Sequence, residues 1–148
     1  MKVEIKLDAQ YTEPTVLVLT DRMTDEVGEI VRRLSEESSP SLLTGQRDEA
    51  LEILRPEQII RIYSSDGKVF AATKNGEYIM RQRIYELEER LCSGGSFARI
   101  SNSEIINLSH AKKFDLSLSG TICVSMSDGS ITYVSRRYVP KIKQKLGI

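Results

Sequence analysis

Hydrophobic and polar residues alternate near the start of the chain and then give way to a helical pattern. Lys2–Leu7 carries a hydrophobic residue at every second position, and Thr15–Leu19 is a β-branched run, so both segments predict strands. Thr24 suits a helix N-cap, and Glu36–Pro40 ends the helical pattern. The helix between them presents one apolar face, formed by Val27, Ile30, Val31 and Leu34. Residues 1–41 are therefore predicted to form a small β-β-α unit.

From Leu42 onward the pattern changes to short strands separated by tight turns. Asp66-Gly67 and Asn75-Gly76 are dipeptides that supply the positive φ of two-residue hairpins. The expected strands are Ile59–Ser64, Lys68–Thr73, Glu77–Arg81, Phe114–Leu118, Thr121–Ser125 and Ile131–Ser135.

Two short helices accompany these strands. The first has Ile84, Leu87 and Leu91 on one face, and the second begins near Tyr138. The predicted fold class is therefore mainly β with α (α+β). Antiparallel sheets with two short helices span residues 42–148, and the small β-β-α unit precedes them.

The charge of the chain is balanced overall but divided between its two parts. Residues 1–55 hold 7 Lys and Arg against 12 Asp and Glu, a net charge of −5, and residues 56–148 hold 14 against 9, a net charge of +5. A cationic part of this kind is compatible with a polyanionic partner. The start of the chain has no apolar stretch like that of a signal peptide, and the two cysteines form no CxxC pair. We therefore expect a cytoplasmic protein.

Catalytic and metal-binding signatures are missing from the sequence. The single histidine, His110, stands in a polar turn without a nucleophile or ligand nearby in sequence. No Walker A loop or GxGxxG motif occurs, and the carboxylates at Glu86, Glu88 and Glu89 alternate with arginines as on a solvated helix face. We expect no enzyme activity, no cofactor, no metal and no small-molecule substrate.

Two stretches in the second half carry a more specific signal. Phe97–Leu108 reads FARISNSEIINL and follows the first predicted helix. Val134–Tyr138 reads VSRRY, between Asp128-Gly129 and a lysine-rich C-terminal helix. Together with the hairpin that begins at Ile59, these stretches resemble the LytTR DNA-binding family. The resemblance extends over residues 42–148 and indicates the stand-alone type, in which the first 41 residues replace a receiver domain.

The resemblance implies an elongated arrangement of antiparallel sheets that places loops into two successive major grooves of duplex DNA. The contacting loops would be the hairpin around Lys68, the loop at Asn102 and the strand end at Arg137. An asparagine can bind adenine with two hydrogen bonds and an arginine can bind guanine likewise, each giving about 1–3 kcal/mol of base discrimination. The side chains suited to phosphate oxygens are those of Lys68, Arg99, Ser101, Ser135 and Arg136.

Two residues depart from the family pattern. Ser101 stands where relatives commonly have histidine, so the preferred DNA sequence can differ from theirs. Glu104 stands where an aromatic residue is common, and an exposed carboxylate there would repel DNA. We therefore expect Glu104 to face away from the duplex or to pair with a cation.

The partners expected from these observations are double-stranded DNA and a second copy of the chain, since paired half-sites favour a twofold dimer. The acidic residues 1–41 are the candidate dimerisation or partner-binding unit. The resemblance also implies a small membrane protein encoded beside the gene. The alternative function is a non-enzymatic β-rich module that binds a protein partner or a small effector.

Overall fold

The chain folds into two units. A computed structural model describes residues 1–37 and 42–148. The side chains of residues 35–37 are not described. Contacts divide the chain into residues 1–41 and residues 42–148, and each unit is considered by itself. No helix in the described part of the chain is long and apolar enough to cross a membrane.

The first unit contains one helix, α1 (Asp25–Glu37). The hydroxyl oxygen of Thr24 accepts a hydrogen bond from the backbone N–H of Val27 at 3.3 Å, so Thr24 is the N-cap that the sequence predicts. Residues 38–40, where the sequence predicts the helix end, lie outside the described residues.

The prediction of two strands before α1 is wrong. No strand is present among residues 1–24, and the side chains of Leu7 and Leu17 are 96% and 78% exposed. Alternation makes a strand possible, but the strand forms only where its backbone and its apolar face find a partner. A lone two-stranded ribbon is at best marginally stable in water.

The second unit is built on a seven-stranded antiparallel sheet. Its strands follow the spatial order β2-β1-β5-β4-β3-β7-β6. In chain order they are β1 (Leu43–Arg47), β2 (Ala50–Leu54), β3 (Ile59–Ser65), β4 (Lys68–Thr73), β5 (Gly76–Met80), β6 (Phe97–Ser101) and β7 (Glu104–Asn107). The turn between β3 and β4 has positive φ at Asp66 and Gly67, as the dipeptide predicts.

A three-stranded antiparallel sheet, in the order β10-β9-β8, completes the β-structure. It contains β8 (Ala111–Asp115), β9 (Ile122–Met126) and β10 (Ile131–Val134). The first strand ends earlier than the sequence predicts, because the carboxylate of Asp115 accepts hydrogen bonds from the backbone N–H and the hydroxyl of Ser117 and so forms a turn. Leu116 and Leu118 beyond it are exposed.

Two helices and two apolar clusters hold the sheets in place. The helices are α2 (Ile84–Leu91) and α3 (Val139–Leu146), both close to their predicted positions. One cluster joins α2 to β1–β7 through residues such as Ile62 and Leu87, and the other joins β6, β7 and the small sheet to α3 through residues such as Ile100 and Ile142. The fold class predicted from the sequence, α+β with mostly antiparallel sheets, is confirmed.

Candidate nucleic-acid interface

The loop that joins β6 to β7 is short and exposed at its tip. Ser101 pairs with Glu104 across the hairpin, and the ladder has an irregularity just before Ser101. The hydroxyl oxygen of Ser101 accepts a hydrogen bond from the backbone N–H of Ser103 at 3.2 Å, which closes the turn. Asn102 therefore projects from a rigid hairpin and is exposed to solvent.

Backbone hydrogen bonds place this loop between the two other candidate loops. On one side, the N–H of Ser64 in β3 donates to the carbonyl of Ser103 at 2.9 Å. Ser64 is the second-to-last residue of β3, the strand that leads into the Lys68 hairpin. On the other side, the N–H of Ser135 donates to the carbonyl of Ile100 at 2.8 Å. The structure thus brings together, at one end of the second unit, three segments that are far apart in the sequence.

Tyr138 connects the central loop to the segment that precedes α3. Its ring is buried, and its hydroxyl donates a hydrogen bond to the side-chain oxygen of Asn102 at 3.3 Å. An amide oxygen has two lone pairs, so this bond can orient the amide and leave it able to meet a base edge. Only the structure reveals this role of the Tyr138 hydroxyl.

Arg99 is held inside the protein by three hydrogen bonds. Its guanidinium donates to Glu88 at 3.2 Å, to the carbonyl of Ser101 at 3.0 Å and to the carbonyl of Asn102 at 2.9 Å. Its side chain is only 17% exposed. These contacts tie the backbone of the loop to α2.

Arg136 and Arg137 lie in a 3-10 turn, Arg136–Tyr138, that leads into α3. Both are exposed, but they have different neighbours. The guanidinium of Arg136 lies against Gly120 in the turn between β8 and β9, where a Cβ on the glycine would come within 2.9 Å of it. The guanidinium of Arg137 lies 5.8 Å from the ring centre of Tyr138, the residue whose hydroxyl bonds to Asn102.

Lys68 is the first residue of β4 and pairs with Ser65 across the tight turn of the first hairpin. It is exposed, as are Ser64, Ser65 and the two turn residues. Among the described residues, none forms a hydrogen bond or an ion pair with its ammonium group. The lysine therefore presents a cation from the same end of the large sheet as the Asn102 loop.

Glu104 is 8% exposed and satisfies the expectation that it pairs with a cation. One carboxylate oxygen accepts a hydrogen bond from the guanidinium of Arg61 at 2.7 Å, and the other accepts one from the hydroxyl of Thr132. The negative charge is thus enclosed where β3, β7 and β10 meet. A carboxylate next to the Asn102 loop is compatible with DNA binding because it is not presented to solvent.

Three more polar residues lie in or near the stretch Phe97–Leu108. Asn107 is buried, donates to the carbonyl of Ile59 at 2.9 Å and accepts from the N–H of Ser109 at 3.0 Å. The ring of His110 lies 2.8 Å from the carbonyl of Glu57, which it can only meet as a donor. Burial raises the pKa of the Cys92 thiol to about 11, so this thiol is uncharged at neutral pH.

Known proteins resemble this chain in sequence and in fold. Residues 49–147 match the model of the LytTr DNA-binding domain. Transcriptional regulators of the HTH type from Staphylococcus aureus strains MSSA476 and MW2 are each 32% identical over all of this chain and 99% of their own length. The solved LytTr DNA-binding domain of a protein from Bacillus cereus superposes on 74% of this chain and all of its own, with a TM-score of 0.69 and 22% identity.

The described helices do not form the helix-turn-helix that the names of those relatives mention. Strands β1–β5 separate α1 from α2, and β6–β10 separate α2 from α3. Consecutive helices joined by a short turn are required for that motif. In the described residues, the exposed polar and cationic side chains at the three loops are the better candidates for contact with a polyanion.

Proposed function

The chain belongs to the LytTr DNA-binding domain family and is a DNA-binding transcription regulator, and we propose that it reads a specific duplex sequence with the three loops described above. In this proposal the loops enter two successive major grooves. The observation that supports it most directly is the junction at Tyr138, whose hydroxyl bonds to Asn102 and whose ring centre lies 5.8 Å from the Arg137 guanidinium, although 34 intervening positions separate these two exposed residues in the sequence.

Base reading is assigned to Asn102 and Arg137. The amide of Asn102 suits the N6 and N7 edge of adenine, and the guanidinium of Arg137 suits the O6 and N7 edge of guanine. Both side chains project from short, hydrogen-bonded turns, so little backbone entropy is lost when they dock.

Contacts to the DNA phosphates are assigned to polar and cationic residues around the two readers, all exposed except the half-buried Ser101. The side chains proposed to bind phosphate oxygens are those of Lys68, Ser101, Ser135 and Arg136. The guanidinium of Arg99 would also suit a phosphate, but its three internal hydrogen bonds favour a different role. We assign it to holding the Asn102 loop in shape, with at most an indirect contribution to phosphate binding.

The wider setting of the protein follows from a role on DNA. The chain would act in the cytoplasm, without enzymatic chemistry, as a homodimer on paired half-sites. Its first 41 residues are proposed to supply the contact between copies. A small membrane protein encoded beside the gene is also proposed as a partner, and this proposal rests on the family resemblance alone.

Selection of binding sites from random duplexes tests the proposed function. The full-length chain should enrich a motif with two half-sites, and its affinity should fall with salt with a log–log slope of about −0.9 per phosphate contact. A scrambled version of the enriched duplex serves as the control. If no duplex is enriched and binding does not depend on salt, the alternative function, a module for a protein or effector partner, replaces this one.

A further inference from the structure

The turn between β8 and β9 lies beside the segment that carries Arg136 and Arg137. The hydroxyl of Thr121 donates a hydrogen bond to the carbonyl of Val134 at 2.5 Å, and Ile122 pairs with Val134 across the small sheet. The two arginines follow Val134 directly after Ser135. The position of this turn is therefore coupled to the position of the arginines.

Gly120 in this turn leaves a space that the side chain of Arg136 occupies. A Cβ at this position would lie 2.9 Å from the Nε atom of Arg136 and 3.3 Å from its Nη2 atom, and the first of these distances is shorter than real Cβ contacts. The φ of Gly120 is +78°, but this chain also adopts positive φ at Asp48 and Asp66. The conformation of the turn alone therefore does not require glycine, whereas the observed position of Arg136 does.

The two adjacent arginines have different neighbours. The guanidinium of Arg136 lies against Gly120, and that of Arg137 lies 5.8 Å from the ring centre of Tyr138. Among the described residues, none forms a hydrogen bond or an ion pair with either guanidinium. The contact with Gly120 is thus the one that restrains Arg136, and it is independent of the contact that restrains Arg137.

An arginine that is restrained in this way suits a phosphate contact. A guanidinium binds phosphate oxygens through parallel hydrogen bonds that need a defined geometry, and a side chain that is already restrained loses less conformational entropy when it binds. A methyl group at position 120 would push the guanidinium aside at little cost to the turn, because Nε and Nη2 lie at the far end of a flexible side chain. The displaced group would no longer meet a phosphate from the same position.

We propose that Gly120 is a positioning residue for DNA binding, because the absence of a side chain there lets the β8–β9 turn hold the Arg136 guanidinium where it binds a phosphate. This inference rests on the proposed function, in which Arg136 contacts the DNA backbone. It gives the β8–β9 turn a role in binding, in addition to the three loops. Binding by the natural chain is measured beside the variants, so a failure of the proposed function and a failure of this inference are observed separately.

The experiment compares Gly120→Ala with Gly129→Ala in the full-length chain, by salt titrations of binding to the enriched duplex and to its scrambled version. Gly129 is the matched control because it lies in the other turn of the small sheet at φ +87°, where a Cβ would meet nothing within 4 Å. Both substitutions place alanine at positive φ, so backbone strain is common to both. We expect Gly120→Ala to bind both duplexes about three- to tenfold more weakly, with a salt slope smaller by about 0.9, as for Arg136→Ala. Gly129→Ala should bind as the natural chain does.

A double variant shows whether Gly120 acts through Arg136. Once Arg136→Ala has removed the guanidinium, the addition of Gly120→Ala should cause no further loss of affinity. The truncated side chain also leaves room for a Cβ at position 120. Relative to Arg136→Ala, the double variant should therefore lose no more thermal stability than Gly129→Ala loses relative to the natural chain, which keeps the test valid if Gly120→Ala alone folds poorly.

Two results would overturn the inference and leave the proposed function standing. One is a Gly120→Ala chain that binds as Gly129→Ala does, and the other is a pair of losses, from Gly120→Ala and from Arg136→Ala, that add in the double variant. A natural chain that selects no duplex would overturn the inference and the proposed function together.

Discussion

Arg61 in β3 donates a hydrogen bond to Glu104 in β7 at 2.7 Å, and their side chains are 23% and 11% exposed. Thr132 in the small sheet donates to the other carboxylate oxygen, so the ion pair joins the two sheets. Arg61 also lies 4.4 Å above the ring centre of Tyr63. Because Glu104 ends the turn that carries Asn102, this junction fixes the base of the central loop.

Replacement of Glu104 by leucine should lower the free energy of unfolding by about 2–4 kcal/mol, because it leaves the Arg61 guanidinium and the Thr132 hydroxyl without their acceptor. Urea unfolding measures the change. Glu88→Leu, which removes the more exposed ion pair with Arg99, should cost less than about 1 kcal/mol. Equal losses in the two variants would contradict the importance of the sheet junction.

Arg137→Ala should weaken the preference for the enriched duplex over its scrambled version and leave the thermal unfolding curve unchanged. The loss corresponds to about 1–3 kcal/mol of discrimination at one guanine. Fluorescence anisotropy with both duplexes measures the ratio. The control is Arg55→Ala, which should keep the full preference. Arg55 is exposed and precedes the short turn that leads into β3, at the end of that strand opposite Ser64. A variant at Arg137 that retains the preference would remove this residue from the base readers.

Asn102→Ala should relax selection at a single base position, while Asn75→Ala in the opposite hairpin turn should leave the selected motif unchanged. Tyr138→Phe is expected to have a smaller effect of the same kind. It removes the hydroxyl that orients the Asn102 amide, which is worth about 0.5–1.5 kcal/mol, or about a twofold to tenfold loss of discrimination. Repeated site selection with each variant measures these effects. If Tyr138→Phe weakens all duplexes equally, the orienting role is wrong.

Lys68→Ala should weaken binding to all duplexes alike and reduce the slope of log affinity against log salt by about 0.9. Lys74 lies just beyond the other end of the same strand, β4, and is also exposed, so Lys74→Ala is a matched control that should not change the slope. A salt titration of each variant distinguishes them. If the two variants have the same slope, Lys68 does not contact a phosphate.

Asn107→Ala should destabilise the fold by about 1–3 kcal/mol without changing the DNA preference of the folded protein, because its amide serves the backbone of β3 and of the turn after β7. Chemical denaturation gives the stability, and competition between the selected and scrambled duplexes gives the preference. A changed motif would show that Asn107 acts on the interface after all.

The sequence by itself determined several local elements of this protein, although its strand pattern did not predict β1, β2, β6 or β7. Dipeptides such as Asp66-Gly67 specify hairpins, the apolar spacing specifies α2 and α3, and the residues of the family-like stretches identify the three loops. These features depend on neighbours a few positions away, so they can be read along the chain. The hydrogen bond from the Ser109 N–H to the Asn107 side chain is local in the same sense.

Only the tertiary structure decided which of these residues act together. Arg99 is drawn inward by Glu88 and two carbonyls, Glu104 finds Arg61 across the sheet, and Tyr138 reaches Asn102, all through contacts between distant positions. Residues 2–7 and 15–19 show the converse, because their alternation is local but a strand needs a partner. A local pattern fixes which conformations a segment can adopt, and its free energy in the folded chain depends on what lies beside it.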